Sequence, residues 1–73
     1  MEPEFEALCK AAFSYRRKTL QNSLSRHPEL GTLSSMLLER AGVDGSRRAE
    51  ELSVDEYEHL AQTYNELRMA GNT

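Results

Sequence analysis

Residues 53–71 read SVDEYEHLAQTYNELRMAG, and this stretch carries the signals for both ends of a helix. Ser53, followed three residues later by Glu56, is the pattern of a capping box, in which each side chain binds the backbone amide of the other residue. Apolar residues then recur every three or four positions, which places them on one face of a helix. Gly71 is the residue type that most often follows a helix. The sequence therefore predicts a helix over residues 54–70.

Two further helices are predicted upstream, which makes the chain all-α. An apolar stripe at helical spacing indicates a first helix over residues 3–24. A shorter helix is predicted over residues 32–41, ended by Gly42 in the left-handed conformation. A short helical turn is expected near residues 47–51. We therefore expect one small bundle of three main helices, forming a single helical accessory domain over residues 1–73.

Length and composition exclude several classes of protein. A chain of 73 residues is at most one small domain, too short for separate cofactor and substrate domains. Cys9 is the single cysteine, which rules out an intramolecular disulfide and favours a reducing compartment. The first residues lack the basic and apolar regions of a signal peptide, and the apolar runs are too short to cross a bilayer. We expect a cytoplasmic protein with no membrane partner.

The charge distribution is polarised although the net charge is only −3. Residues 10–28 hold five basic residues and no acidic one, whereas residues 29–73 hold nine acidic and four basic residues. A positive segment within an acidic chain suits a polyanionic partner on one side of the domain. The alternative is a solvated helix face flanked by its ion-pair partners.

On a continuous first helix, five polar residues share one outward side. We call this set the polar ridge; it consists of Lys10, Ser14, Arg17, Lys18 and Gln21. Such donors can bind phosphate oxygens without regard to base sequence, so the ridge is a predicted RNA-binding surface. No aromatic residue interleaves on it, and base stacking is therefore not predicted.

Arg16 has a different predicted position, within the apolar stripe of the same helix. A buried guanidinium is stable only with a carboxylate partner and further hydrogen bonds. We predict a structural ion pair with Glu50 or Glu51 in the connection that precedes the last helix. The alternative is that the stem of Arg16 covers apolar surface while its charged end reaches water.

The residues that carry enzyme chemistry are sparse. There is no glycine-rich phosphate loop, and Cys9, His27 and His59 do not have the spacing of metal ligands. No nucleophile can be assigned a positioned base. We expect no catalytic residue, no metal and no cofactor in this domain.

Two segments are similar to one enzyme family. Residues 12–24, AFSYRRKTLQNSL, resemble the AF-x-x-RRKTL-x-NSL segment of the rRNA adenine N6-dimethyltransferases, the KsgA or RsmA group. The GVD at residues 42–44 and the RAEELS at residues 48–53 resemble that family's GID…RAEELS stretch, in the same order. Both segments belong to the small C-terminal helical domain of the family.

The resemblance implies a role for the parent enzyme and for this domain. The parent uses S-adenosylmethionine to dimethylate adenosines near the 3′ end of small-subunit 16S rRNA, a step in ribosome biogenesis. Its glycine-rich loop and N-L-P-[YF] motif are not in this sequence, so the catalytic methyltransferase domain is absent and the domain alone is expected to be inactive. The implied role is to dock small-subunit rRNA or the pre-ribosomal particle, with the catalytic domain as a second partner.

Two other classes of protein stay open at this point. One is a free-standing small helical protein–protein interaction module, which would expose an apolar groove. The other is a small regulator that dimerises through its helix faces. We expect a monomer.

Overall fold

The computed structural model describes residues 3–15 and 17–71. In this part of the chain the fold is all-α, as the sequence predicts. The helices are α1 (Pro3–Phe13), α2 (Leu20–Ser25), α3 (Ser34–Ala41) and α4 (Val54–Gly71), with a 3₁₀ turn at Ala49–Glu51 between α3 and α4. The three longer helices and the short turn near residues 47–51 confirm the expected bundle.

The prediction of one continuous helix over residues 3–24 is wrong. The helix ends at Phe13, and a second one begins at Leu20. Just past α1, the hydroxyl of Ser14 donates a hydrogen bond of 2.5 Å to the carbonyl oxygen of Lys10. Side-chain bonds of this kind compete with continuation of a helix. Thr19 then starts α2 as its N-cap, because its hydroxyl accepts from the Asn22 backbone N–H at 3.3 Å.

The last two helices form largely as their local signals indicate. Gly42 caps α3 in the left-handed conformation, with φ 72° and ψ 29°. At the start of α4, the Ser53 hydroxyl accepts from the Glu56 N–H at 3.2 Å, and the Glu56 carboxylate accepts from the Ser53 N–H at 2.9 Å. The predicted capping box is therefore confirmed. The start of α3 differs: it begins at Ser34, two residues later than predicted.

The four helices enclose one core. Helix α4 packs against α1 and α3, and α2 packs against the same two helices. The fully buried leucines come from every helix and from the α2–α3 connection: Leu8, Leu20, Leu24, Leu30, Leu37 and Leu60. On α3, Met36 is 54% exposed, whereas Leu37 and Leu38 are buried. Each buried leucine stabilises the fold by about 1.5–3 kcal/mol.

Candidate nucleic-acid interface

The connection between α1 and α2 carries two of the three basic residues of the predicted interface, Arg17 and Lys18. Its far end is held by backbone hydrogen bonds to a distant segment: the N–H of Leu20 donates to the Arg47 carbonyl at 2.7 Å, and that of Gln21 to the Gly45 carbonyl at 2.9 Å. The first amides of a helix have no partner within it, so these bonds satisfy groups that would otherwise be unpaired. The far end of the connection is thereby fixed to the segment between α3 and α4.

Arg17 and Lys18 are the exposed cations of this connection. Neither has an ion-pair partner among residues 3–15 and 17–71. Their positive charge is therefore not neutralised by the described acidic side chains. A cation in this state can bind an external anion without first breaking an internal ion pair.

The other members of the polar ridge lie on different elements because α1 ends at Phe13. Lys10 is exposed in the last turn of α1, with its Nζ 4.0 Å from Oε1 of Glu6. Ser14 is exposed directly after α1. The ridge is thus not the single helical row that the sequence predicts, although Lys10, Ser14, Arg17 and Lys18 are all exposed.

Gln21 is already engaged within the protein. It is half-buried on α2, and its Nε2 donates to the hydroxyls of Ser34 at 3.2 Å and Ser35 at 3.3 Å. These bonds join α2 to the start of α3. Its side-chain amide therefore serves the packing of the two helices.

Sequence reasoning overlooked Tyr15 in this region and did not place Arg26 beside it. Tyr15 is 41% exposed, and the guanidinium carbon of Arg26 lies 5.5 Å from the centroid of its ring. Arg26 is itself exposed and follows the last residue of α2. A tyrosine within a run of basic residues was the available signal, and it was missed because a continuous helix was assumed.

The predicted ion pair of Arg16 with Glu50 or Glu51 cannot be placed, because Arg16 lies outside the described residues. The two carboxylates are described: Glu50 is exposed, and Glu51 accepts from the Arg48 backbone N–H at 2.5 Å. The pair stays a prediction.

A different arginine organises the α3–α4 connection. The Arg47 guanidinium binds both carboxylate oxygens of Glu56, at 2.5 and 3.1 Å, and also donates to the Glu51 carbonyl at 2.7 Å. The hydrogen bonds from Arg47 to the Glu56 carboxylate have the largest effect on the pKa of Glu56, and the one from the Ser53 backbone N–H has the next largest. Together they lower this pKa to about 2. Sequence reasoning missed this pair because its members belong to separate elements nine residues apart.

The remaining titratable groups take structural positions. The hydroxyl of Tyr57 donates to the Ala49 carbonyl, and burial raises the pKa of Tyr57 to about 12. Burial likewise raises the pKa of the half-buried Cys9 thiol. His59 Nε2 lies 3.1 Å from the Ala41 carbonyl at the end of α3.

The described part of the chain has neither a metal-binding cluster nor a membrane-spanning helix. Residues 3–15 and 17–71 contain no group of three or more His, Cys, Asp or Glu side chains that could hold a metal ion. Within the same ranges, no helix is long and apolar enough to cross a membrane.

Comparison with curated proteins finds relatives named ribosomal RNA small subunit methyltransferase A. The chain is 42% identical to the ribosomal RNA small subunit methyltransferase A of Myxococcus xanthus strain DK1622, over 99% of this chain and 26% of that protein. It is 46% identical to the protein of the same name from Brucella anthropi, over 84% of this chain and 20% of the relative. The corresponding protein of Desulforapulum autotrophicum is 54% identical over 71% of this chain and 19% of its own length.

The matched region is the C-terminal part of each relative. The chain thus spans about a quarter or less of the length of these curated proteins. No family model matches the chain.

Proposed function

This chain belongs to the ribosomal RNA small subunit methyltransferase A family, whose C-terminal region it matches, and we propose that it is the accessory domain that docks such an enzyme on small-subunit rRNA. The catalytic domain, in this proposal, binds S-adenosylmethionine and transfers the methyl groups. The helical domain contributes binding and orientation, and no catalytic residue. It acts as a monomer in the cytoplasm, where its partner is the pre-ribosomal small subunit.

The observation that carries the proposal is the exposure of Arg17 and Lys18 without ion-pair partners among the described residues. RNA presents one phosphate charge per nucleotide, and binding of cations to these charges releases counterions into solution. This attraction is independent of base sequence and suits a domain that positions an enzyme on a large RNA.

The members of the polar ridge have unequal roles in the proposal. Arg17 and Lys18 bind phosphates directly. Lys10 and Ser14 extend the contact along the end of α1, although Lys10 lies within reach of Glu6. Gln21 acts indirectly, since its amide holds α2 against the start of α3. We therefore expect substitution of Gln21 to affect RNA binding less than substitution of Arg17 and Lys18.

The proposal is tested in a two-domain enzyme. In the Myxococcus xanthus relative, the C-terminal region is replaced by this chain, and methylation of immature small subunits is measured at physiological salt. Replacing Arg17 and Lys18 together by Gln should lower the methylation rate at limiting subunit concentration. Saturating subunits should restore the rate, because only docking is weakened.

Arg40→Gln with Arg68→Gln is the control with the same change in charge; because Arg68 pairs with Glu4 at 3.0 Å, a thermal melt checks that this variant keeps its fold. It removes the same charge from α3 and α4, outside the basic connection, and should leave the rate close to that of the unmodified chimera. Equal rates for both double variants and the unmodified chimera would contradict the docking role of Arg17 and Lys18. The exposed apolar side chains Met36, Val54 and Met69 would then be the surface to test, as a protein-interaction module requires.

A further inference from the structure

Tyr15 is an exposed side chain on a fixed piece of backbone. Its carbonyl oxygen accepts a hydrogen bond from the Lys18 N–H at 2.9 Å and another from the Ser23 hydroxyl at 3.1 Å. Ser23 is only 1% exposed and lies on α2, whose leucines are buried in the core. The backbone of Tyr15 is therefore attached to the interior of the domain, while 41% of the residue stays accessible.

The ring of Tyr15 differs from the other two tyrosine rings in being exposed. Tyr57 and Tyr64 are buried, and Phe13, although exposed, packs against Tyr57 with the ring centroids 5.9 Å apart. Two tyrosine rings have a guanidinium over them: that of Arg26 lies 5.5 Å from the centroid of the exposed Tyr15, and that of Arg68 lies 5.6 Å from the centroid of the buried Tyr64. An accessible aromatic ring beside an arginine is the combination on which proteins stack single-stranded bases.

Basic residues are close to Tyr15 in sequence, and no acidic residue is. Arg17 and Lys18 follow Tyr15 within three positions, and residues 10–28 contain no Asp or Glu. Arg17, Lys18 and Arg26 form no ion pair with any acidic residue in the described ranges. The region therefore offers cations for phosphates and a planar surface for a base in one short segment.

We propose that Tyr15 and Arg26 form a stacking site for an unpaired base of an RNA strand whose phosphates bind Arg17 and Lys18. The inference rests on the proposed function and adds the kind of RNA that the surface prefers. In a duplex, the faces of the bases are covered by neighbouring base pairs, so only an unpaired nucleotide can place its face on Tyr15. The sequence-based expectation of no stacking assumed a continuous helix, which the structure does not have.

Nuclear magnetic resonance of the 73-residue chain gives a direct readout. The chain has three tyrosines and no tryptophan, so the tyrosine ring signals are few. Hexa-adenylate is the single-stranded probe, and an RNA duplex long enough to stay fully paired, added at the same total phosphate concentration, is the comparison. We expect hexa-adenylate to move the Tyr15 ring protons upfield, while the buried Tyr57 and Tyr64 rings do not move. The duplex should move none of the three.

Two substitutions at position 15 separate stacking from structure. Tyr15→Leu removes the aromatic face and should weaken hexa-adenylate binding roughly 5- to 150-fold, the range for loss of one stacked base, while duplex binding stays unchanged. Tyr15→Phe keeps the aromatic face and should bind both RNAs like the unmodified chain. A circular dichroism melt of each variant checks that the fold is retained.

The outcomes distinguish this inference from the proposed function. If Tyr15→Leu binds hexa-adenylate as well as the unmodified chain, and the Tyr15 ring signals do not shift, the stacking site is overturned. In that case, weaker binding of both RNAs by Arg17→Gln with Lys18→Gln would still support phosphate docking. If the unmodified chain binds neither RNA at millimolar concentration, the proposed function fails and the stacking site fails with it.

Discussion

The α1–α2 connection and the α3–α4 connection both carry neighbouring basic residues, but the charges of these residues lie in different surroundings. Arg47, in the second connection, binds both oxygens of Glu56 and a backbone carbonyl. Arg17 and Lys18, in the first, are exposed and have no such partner in the part of the chain described. The same residue types therefore hold the fold together in one place and stay available to an external anion in the other.

The largest expected effect concerns what supports the basic connection. Leu24 is fully buried on α2, directly after this connection. We expect Leu24→Ala to lower the free energy of unfolding by about 2–5 kcal/mol, because it leaves a cavity in the core. Urea denaturation followed by circular dichroism measures the loss. A change of less than about 1 kcal/mol would show that α2 is not anchored through its apolar face.

A smaller loss of stability is expected at the start of α4, close to Arg47. Ser53→Ala removes the hydroxyl that accepts from the Glu56 N–H. Loss of an N-cap side chain costs about 1 kcal/mol. Thermal unfolding is measured for Ser53→Ala and for Ser53→Asp. The aspartate can still cap the helix, so the difference between the two variants reports the capping bond. Equal losses in both variants would mean that capping does not stabilise α4.

The Arg47–Glu56 pair predicts a pH dependence of stability. The pKa of Glu56 falls from its ordinary value of 4.5 to about 2 in the folded protein. The stabilisation that the ionised Glu56 carboxylate gives is therefore complete above pH 4.5 and is lost as the pH falls toward 2. Glu56→Gln should be less stable than the unmodified chain at pH 6, and the difference should shrink by pH 2. If the stability difference between Glu56→Gln and the unmodified chain is the same at pH 6 and pH 2, the lowered pKa of Glu56 is contradicted.

Asp44 is a second carboxylate to control for in this experiment. Hydrogen bonds from the backbone and the hydroxyl of Ser46 lower its pKa as well, so it contributes stability that is lost in the same direction. Asp44→Asn alone and together with Glu56→Gln separates the two contributions.

The smallest effect on stability is expected at the basic connection itself. Arg17 and Lys18 are exposed and make no internal ion pair with the described residues. Substitution of both by Gln should change the free energy of unfolding by less than about 0.5 kcal/mol. Chemical denaturation measures it. A substantial loss would show that these cations are structural, which would weaken the contrast with Arg47.

Local signals made much of the fold predictable from the sequence. The capping box at Ser53 and Glu56 and the left-handed cap at Gly42 involve residues within one helical turn, and both are present as predicted. The stripe formed by Tyr57, Leu60 and Tyr64 is buried as its spacing indicates. These features depend on neighbours in sequence, so the sequence alone contains what is needed.

The break between α1 and α2 could not be predicted in the same way. Leu20 follows Phe13 by seven residues, close to two helical turns, so the apolar pattern stays in phase across the interruption. The start of α2 is fixed by bonds from Leu20 and Gln21 to the Arg47 and Gly45 carbonyls, more than twenty residues away. Periodicity carries no information about contacts at that separation.

The candidate interface was likewise predictable only in part from the sequence. The sequence identified Arg17 and Lys18 as outward-facing, and both are exposed. It assigned Gln21 to the same row, but packing of α2 against α3 engages its amide with Ser34 and Ser35. The accessible ring of Tyr15 depends on where the helix ends, so it could not be found from a continuous helical wheel.

The salt dependence of RNA binding tests the central claim most directly. The association constant of the 73-residue chain for a fragment from the 3′ end of small-subunit rRNA is measured at several salt concentrations. Each phosphate that a cation neutralises adds about 0.7–0.9 to the magnitude of the logarithmic slope. Arg17→Gln with Lys18→Gln should therefore reduce that magnitude by about 1.5, while Arg40→Gln with Arg68→Gln should leave it unchanged. A slope for the Arg17 and Lys18 variant equal to that of the unmodified chain would contradict the account.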